Sequence, residues 1–350
     1  MNLVAWIGLH RRAAISLIVI AAVLTVFRTS VPIWGACTTD VNVCANIIAI
    51  GLFQGMIIAL IAIGYTLVYG ILQLINFANG DVFMLGTVIT LIGVRVTGLD
   101  GDSPVVSILL TFAILLPLTM LLTAGLNAGI EKAVYRPLRR APTLATLIAA
   151  IGMSFILQNV GLLLNGPSPV SLPNLLPKDN IIGPGGILEL GAIEIKVSHL
   201  FVTAVTLPLL AGLIWFVKNT RQGKAMRAVA QDREAAGLMG IDVNRTISLT
   251  FLLAGALAGG AGVVVALYLG TAYWFFGTPF GLLAFTAAVF GGIGNLAGAT
   301  LGAVILGILI SLNTYYIDPR WNDIITFGIL ILVLVFRPTG LLAEKQSERA

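Results

Sequence analysis

Charged side chains are scarce in this chain. Asp, Glu, Lys and Arg make up 10% of its 350 residues and apolar types make up 58%, where soluble domains carry roughly 25% and 45–50%. That imbalance excludes a water-soluble globule. Only two histidines and two cysteines occur, so a closed zinc site lacks ligands. No nucleophile is patterned with a base, and no metal-ligating cluster stands out, which argues against a membrane-embedded enzyme. The net charge of +5 is dispersed over several loops without the interleaved aromatics of a nucleic-acid face.

Long apolar runs are plentiful, and the mean hydropathy is +1.01. The runs fall at about 13–28, 45–69, 82–97, 104–128, 143–164, 198–217, 246–269, 280–291, 295–312 and 321–336. In hydrocarbon every backbone amide must be paired within its own element, and runs near twenty residues suit helices rather than barrel strands. The expected fold is all-α, a polytopic transmembrane helical bundle of about eight to ten spans. Phe290-Gly-Gly-Ile-Gly-Asn-Leu-Ala-Gly298 splits the stretch from Gly281 to Ser311. Its first half is short for a crossing, so a broken or re-entrant helix is expected there.

Arg11 and Arg12 precede the first run in the manner of a signal peptide, but the segment is read here as a retained first helix. Ten crossings from a cytoplasmic N-terminus return the C-terminus to the cytoplasm. Fifteen of the twenty Lys and Arg residues then fall inside, as the positive-inside bias requires. The outside loop from Asn165 to Ser198 is rich in proline, and its end, from Gly185 to Val197, alternates like a short two-stranded ribbon. Cys37 and Cys44 share a short polar outside loop; a disulfide and two free thiols both remain open.

Against this background one segment is anomalous. Lys218 to Arg245 carries nine charged side chains in 28 residues, far longer than the usual connector of about two to eight. Asp232 is placed to cap a short helix from Arg233 to Met239, Gly240 to take the left-handed position after it, and Ile241 to make the following apolar contact. Asp242 is placed to cap the next span. Such a stub lies along the membrane surface, and its mixture of Ala235, Ala236 and Met239 with charges suits a groove in a partner protein.

Gly223-Lys-Ala-Met-Arg-Ala-Val-Ala-Gln-Asp232 with Ala235-Ala-Gly-Leu-Met-Gly-Ile241 resembles the cytoplasmic coupling loop of permeases in branched-chain amino-acid ABC importers. Gly64-Tyr-Thr-Leu-Val-Tyr-Gly-Ile-Leu-Gln-Leu-Ile-Asn-Phe-Ala-Asn-Gly-Asp-Val-Phe-Met-Leu-Gly86 resembles that family's most recognisable membrane segment. Tyr135-Arg-Pro-Leu-Arg-Arg140 and Ile148-Ala-Ala-Ile-Gly-Met-Ser154 resemble the next. The resemblance spans roughly residues 45–337, with residues 1–44 an addition, 218–245 the coupling loop and 338–350 a cytoplasmic tail of a single permease domain.

The resemblance implies a transport subunit in a bacterial or archaeal cytoplasmic membrane, paired with a second, related permease. It further implies two ABC ATPase subunits and a periplasmic or lipid-anchored substrate-binding protein. No cofactor is implied, and ATP is expected on the separate subunits, since no Gly-x-x-x-x-Gly-Lys-Ser/Thr loop occurs. Asp232, Glu234, Ala235, Gly237, Gly240 and Ile241 are the residues expected to contact an ATPase. Urea and short-chain amide permeases share these motifs and form the alternative.

Polar groups at membrane depth are few. Asn76, Asn79 and Asp81 cluster around Phe77-Ala-Asn-Gly80, where an unwound segment and a place on the translocation path are expected. Asn295 is a further candidate for the path or for breaking a helix. Two readings of Asp81 stand: an intramembrane functional acid, as an ion-coupled transporter would need, or the N-cap of the third helix. Gln54, Asn127, Gln158, Asn159 and Asn295 are expected for the most part to bond between helices, with lining the path as the second reading, and the series Gly255, Gly259, Gly262 and Gly291, Gly298, Gly302 to allow close helix approach. His10 and His199 lie at expected helix ends with no second ligand near.

Overall fold

The computed structural model describes residues 41–73, 76–100, 103–173, 175–176, 180–182, 194–336 and 339–342. The expected first run at 13–28, with Cys37 and His10, lies outside the described residues. Among those described, eight helical segments are long and apolar enough to cross a membrane, and the polytopic helical bundle read from the sequence is observed.

The helices in chain order are α1 (Val41–Leu72), α2 (Ala78–Thr97), α3 (Val105–Ile130), α4 (Thr143–Asn165), α5 (Val197–Asn219), α6 (Arg221–Gln231), α7 (Arg233–Leu238), α8 (Val243–Leu269), α9 (Gly277–Gly291), α10 (Leu296–Tyr316) and α11 (Asn322–Phe336). α1, α2 and α8 form the centre, with most of their apolar stretch buried. α3, α4, α5 and α11 surround them and keep outward apolar side chains such as Leu109, Leu121, Phe155 and Ile331. In water such faces would be a liability; against lipid they are the solvent-matched choice. The short run before the glycine-rich break forms α9, whose 15 residues reach about 22 Å and fall short of a bilayer core of about 30 Å.

Two small antiparallel ribbons sit at one end, β1 (Val170–Ser171) with β4 (Thr271–Ala272) and β2 (Asn180–Ile182) with β3 (Ile195–Lys196). The expected ribbon differs in its parts. β3 pairs back to residues 180–182, Val197 already begins α5, and the residues from 183 to 193 lie outside those described. The β1–β4 pair was not legible, because its strands lie about a hundred residues apart and are two residues long. The opposite end gathers the Arg- and Lys-rich connections. There the Ile71 carbonyl meets Arg233, and the N–H groups of Leu341 and Leu342 bond to Phe290 and Gly291 at 3.0 Å.

The glycine series do what their spacing implies. A Cβ at Gly262 would lie 2.8 Å from Gly86 Cα of α2, one at Gly255 3.0 Å from Ala124 Cα of α3, and one at Gly302 2.9 Å from Gly291 Cα of α9. Backbones meet where side chains would otherwise hold them apart, the usual route to tight association when lipid is as apolar as leucine. Gly262→Val should therefore destabilise the bundle by about 1–3 kcal/mol through overpacking. Gly212→Ala in α5, where a Cβ meets nothing within 4 Å, should not. Thermal unfolding in detergent distinguishes them, and equal midpoints would contradict the packing account.

Candidate coupling site

The anomalous charged segment folds into two helices at the basic end. Thr220 Oγ1 accepts the Gly223 N–H at 3.0 Å and caps α6, a helix the sequence reading did not resolve. Arg227 ties α6 to the carbonyl of Val217 at the end of α5, and Met226 and Val229 bury its apolar side. Asp232 then takes an extended backbone, and its Oδ1 accepts N–H groups from Glu234 at 2.9 Å and Ala235 at 3.1 Å. These are amides that α7 itself leaves unpaired, as at any helix start.

The other end of α7 closes equally locally. The Gly240 N–H reaches the Gly237 carbonyl at 3.0 Å, and the Ile241 N–H reaches Ala236 at 3.1 Å. Gly240 has φ +84°, a conformation that costs a side-chain-bearing residue roughly 1–2 kcal/mol. This paired pattern with a left-handed glycine ends many helices. Asp242 Oδ1 accepts the Arg245 N–H at 3.1 Å and starts α8. The expected Arg233–Met239 helix is thus observed one residue shorter.

The caps fix which way each side chain faces. Ala236 is buried and Ile241 packs half-buried against the core, while Arg233 donates to the Ile71 carbonyl at 2.8 Å. Burial, and then the nearby Arg139 charge, lower the Arg233 pKa from its ordinary value, an electrostatic cost accepted in fastening α7 to the bundle. Of the residues expected to meet a partner, Glu234, Ala235, Gly237 and Gly240 are exposed. The Asp232 carboxylate is engaged in its cap, and Ile241 faces inward. Beside them stand Leu238 and Met239, 89% and 82% exposed. Of the apolar residues read as a partner-facing set, Ala235 and Met239 are exposed and Ala236 is buried; Leu238, which was not in that set, is exposed with them.

Beneath this surface the recognised sequence segments meet. A π-helical turn, Glu131–Tyr135, follows α3 and places the Tyr135 hydroxyl 2.6 Å from Asn76 Oδ1. Glu131 is fully buried, paired with Arg139, and accepts the Ser248 hydroxyl at 2.6 Å on its other oxygen. Arg139 also donates to Asn244 in the first turn of α8. The Glu131 cluster was missed in the sequence. Its available signal was a lone acid at the end of an apolar run with an arginine eight residues on.

The structure corrects one reading of Asp81. α2 starts at Ala78 after Phe77, which makes no side-chain cap, so Asp81 is not an N-cap. It is 1% exposed within the first turn and accepts the Ser154 hydroxyl of α4. The unwound segment expected within Gln73 to Asp81 is observed in part: Gln73 has φ +56° and Asn76 and Phe77 precede α2, while Asn79, Gly80 and Asp81 are helical. Asn79 is buried with both amide atoms unpartnered. Asn295 is a helix starter: its Oδ1 accepts from Ala297 and Gly298, and its amide donates to the Leu342 carbonyl at 2.8 Å.

Of the other polar groups, Asn127 donates to the Phe251 carbonyl of α8 at 2.8 Å and Gln158 to Thr278 of α9 at 3.1 Å, as interhelical bonds. Asn159 instead bonds within its own helix, to Phe155. The Gln54 carbonyl oxygen has no partner. His199 stacks on Phe53 with centroids 4.4 Å apart. Among the described residues no group of His, Cys, Asp and Glu could hold a metal ion. The Cys37–Cys44 pairing falls partly outside the described residues.

The fold is that of an integral membrane protein, a multi-span helical bundle with one capped, charged segment at its basic end. The chain belongs to the branched-chain amino acid transport system permease component family, whose model matches residues 47–334. It is 39% identical over 300 residues to the high-affinity branched-chain amino acid transport system permease protein BraD of Pseudomonas aeruginosa, covering 85% of this chain and 95% of that protein. It is 37% identical over 302 residues to the LivH permease of the same kind from Escherichia coli K12, with coverage of 85% and 95%. The chain is thus a transport component rather than an enzyme.

Proposed function

We propose that this protein is the membrane-spanning subunit of an ATP-driven importer for leucine, isoleucine and valine, with its basic end in the cytoplasm. It pairs with a second, related permease, and the binding protein docks at the ribbon end. Two ATPases engage the α6–α7 segment, and their closure on ATP pushes α7 against the ends of α1 and α8. The observation that carries this reading is α7 itself. Its two ends are held by its own caps, its inner side is fastened by Ala236 and Arg233, and Leu238 and Met239 stay exposed among the described residues. Family membership supports the substrate.

The ion-coupled alternative relied on Asp81. One oxygen of that carboxylate accepts the Ser154 hydroxyl and the group is packed against Gly277, while its Oδ1 has no hydrogen-bond partner; family membership is what favours the importer over the ion-coupled reading. The importer reading is tested by reconstituting this permease with its paired permease, ATPases and binding protein. Leucine uptake should require ATP inside the vesicles and persist without an ion gradient. Uptake that follows a proton gradient and ignores ATP would overturn it, and uptake of urea but not leucine would overturn the substrate assignment.

A further inference from the structure

Two hollows lie along one seam of the bundle, between α1 and α9. Toward the ribbon end, Gln54 and Ile58 of α1, Val265 and Tyr268 of α8, and Phe280 and Leu283 of α9 line an opening of about 190 Å³. Toward the basic end, Tyr65, Tyr69 and Asn76 face α9 around a hollow of only about 10 Å³, room for roughly one water. Gln54, Ile58, Tyr65 and Tyr69 recur at helical spacing and share one side of α1. In the wall of the smaller hollow the Tyr65 and Phe285 rings meet edge to face at 6.4 Å, and the Tyr65 hydroxyl accepts the Gly80 N–H at 3.1 Å.

The larger hollow has the chemistry of a site for a small amphiphile. Aliphatic and aromatic side chains make up most of its wall, and apolar hollows of about 150 Å³ stay dry and admit guests the size of benzene. A four-carbon branched side chain is smaller than that. Gln54 Oε1 is buried at the wall with no hydrogen-bond partner, an expensive state for an acceptor inside a protein. No Lys, Arg, Asp or Glu lines the hollow, so a charged side chain among its apolar walls would shed hydration without a counter-charge, whereas the ammonium and carboxylate of an amino acid offset each other and stay at the open side of the hollow beside Gln54.

We propose that this hollow is the permease's own site for an aliphatic amino acid, with the branched side chain held among Ile58, Val265, Phe280 and Leu283 and the ammonium group donating to Gln54 Oε1. This rests on the importer reading and adds to it: the membrane subunit itself selects for an aliphatic side chain after the binding protein has released its cargo.

The test uses the assembled importer in proteoliposomes and a photoactivatable leucine with a diazirine in its side chain. Labelling is expected in α1, α8 and α9 near Ile58, Val265 and Leu283, displaced by excess leucine and not by glutamate. Gln54→Leu should lower labelling and uptake by about tenfold, the worth of one charge-assisted hydrogen bond. Leu283→Trp, which fills the hollow, should suppress both at least as far while the complex still assembles and hydrolyses ATP. Labelling elsewhere, labelling that leucine cannot displace because the groove holds lipid, or wild-type uptake by Leu283→Trp would each overturn the proposal. Wild-type importer that moves leucine but labels elsewhere refutes the hollow alone; wild-type importer that moves no leucine refutes the importer reading and the proposal with it.

Discussion

Replacing Leu238 and Met239 together by aspartate should cut ATP-dependent uptake by roughly thirtyfold or more, the effect of losing about 2 kcal/mol of binding at an interface hot spot. Both side chains project from the end of α7 and contribute almost nothing to the packing of the permease. Their substitution should therefore change its stability by no more than about 0.5 kcal/mol, as for other surface changes. Co-purification of the ATPases with the variant should fall in parallel with uptake. Measured together, uptake, co-purification and thermal unfolding separate a docking role from a folding one. A variant that unfolds early, or one that keeps both uptake and ATPases, contradicts the assignment.

The second large effect is on the fold. Glu131 is fully buried at the base of α3, and Arg139 is largely buried beside it, with the Ser248 hydroxyl and Asn244 completing the set. Removing one member of such a pair leaves an uncompensated charge and typically costs about 3–5 kcal/mol, whereas replacing both with apolar groups is often nearly neutral. Glu131→Leu should thus lose most of its folded protein in detergent. Adding Arg139→Leu to it should recover more than half of the loss. Fluorescence-detected size exclusion with thermal challenge reads both outcomes, and a single variant as stable as wild type would contradict the account. The cluster bridges the π-helical turn after α3 and the first turn of α8, so it also holds the surface on which α7 rests.

The legible parts of this molecule were the local ones. Asp232, Gly240, Ile241 and Asp242 could be assigned in advance because a cap involves neighbours within a few residues, and all four occupy the expected positions. The spans followed from run length alone, since lipid leaves the backbone no other choice. The glycine series followed from helical spacing. Asp81 could not be read: its partner Ser154 arrives from 73 residues away, and in the sequence a polar residue before Val-Phe-Met-Leu looks like a cap. The π-helical turn has no sequence signature, so the Tyr135–Asn76 contact was out of reach. The exposure of Leu238 depends on where α7 docks, which is a tertiary fact.

That α7 is where an ATPase presses on the membrane bundle is tested most directly by placing a benzophenone amino acid at position 239 of the assembled importer and irradiating it. The account predicts an adduct with an ATPase subunit, and none from the same group at position 164, which lies at the opposite end of the bundle. No ATPase adduct from position 239, or one of equal yield from position 164, would contradict it.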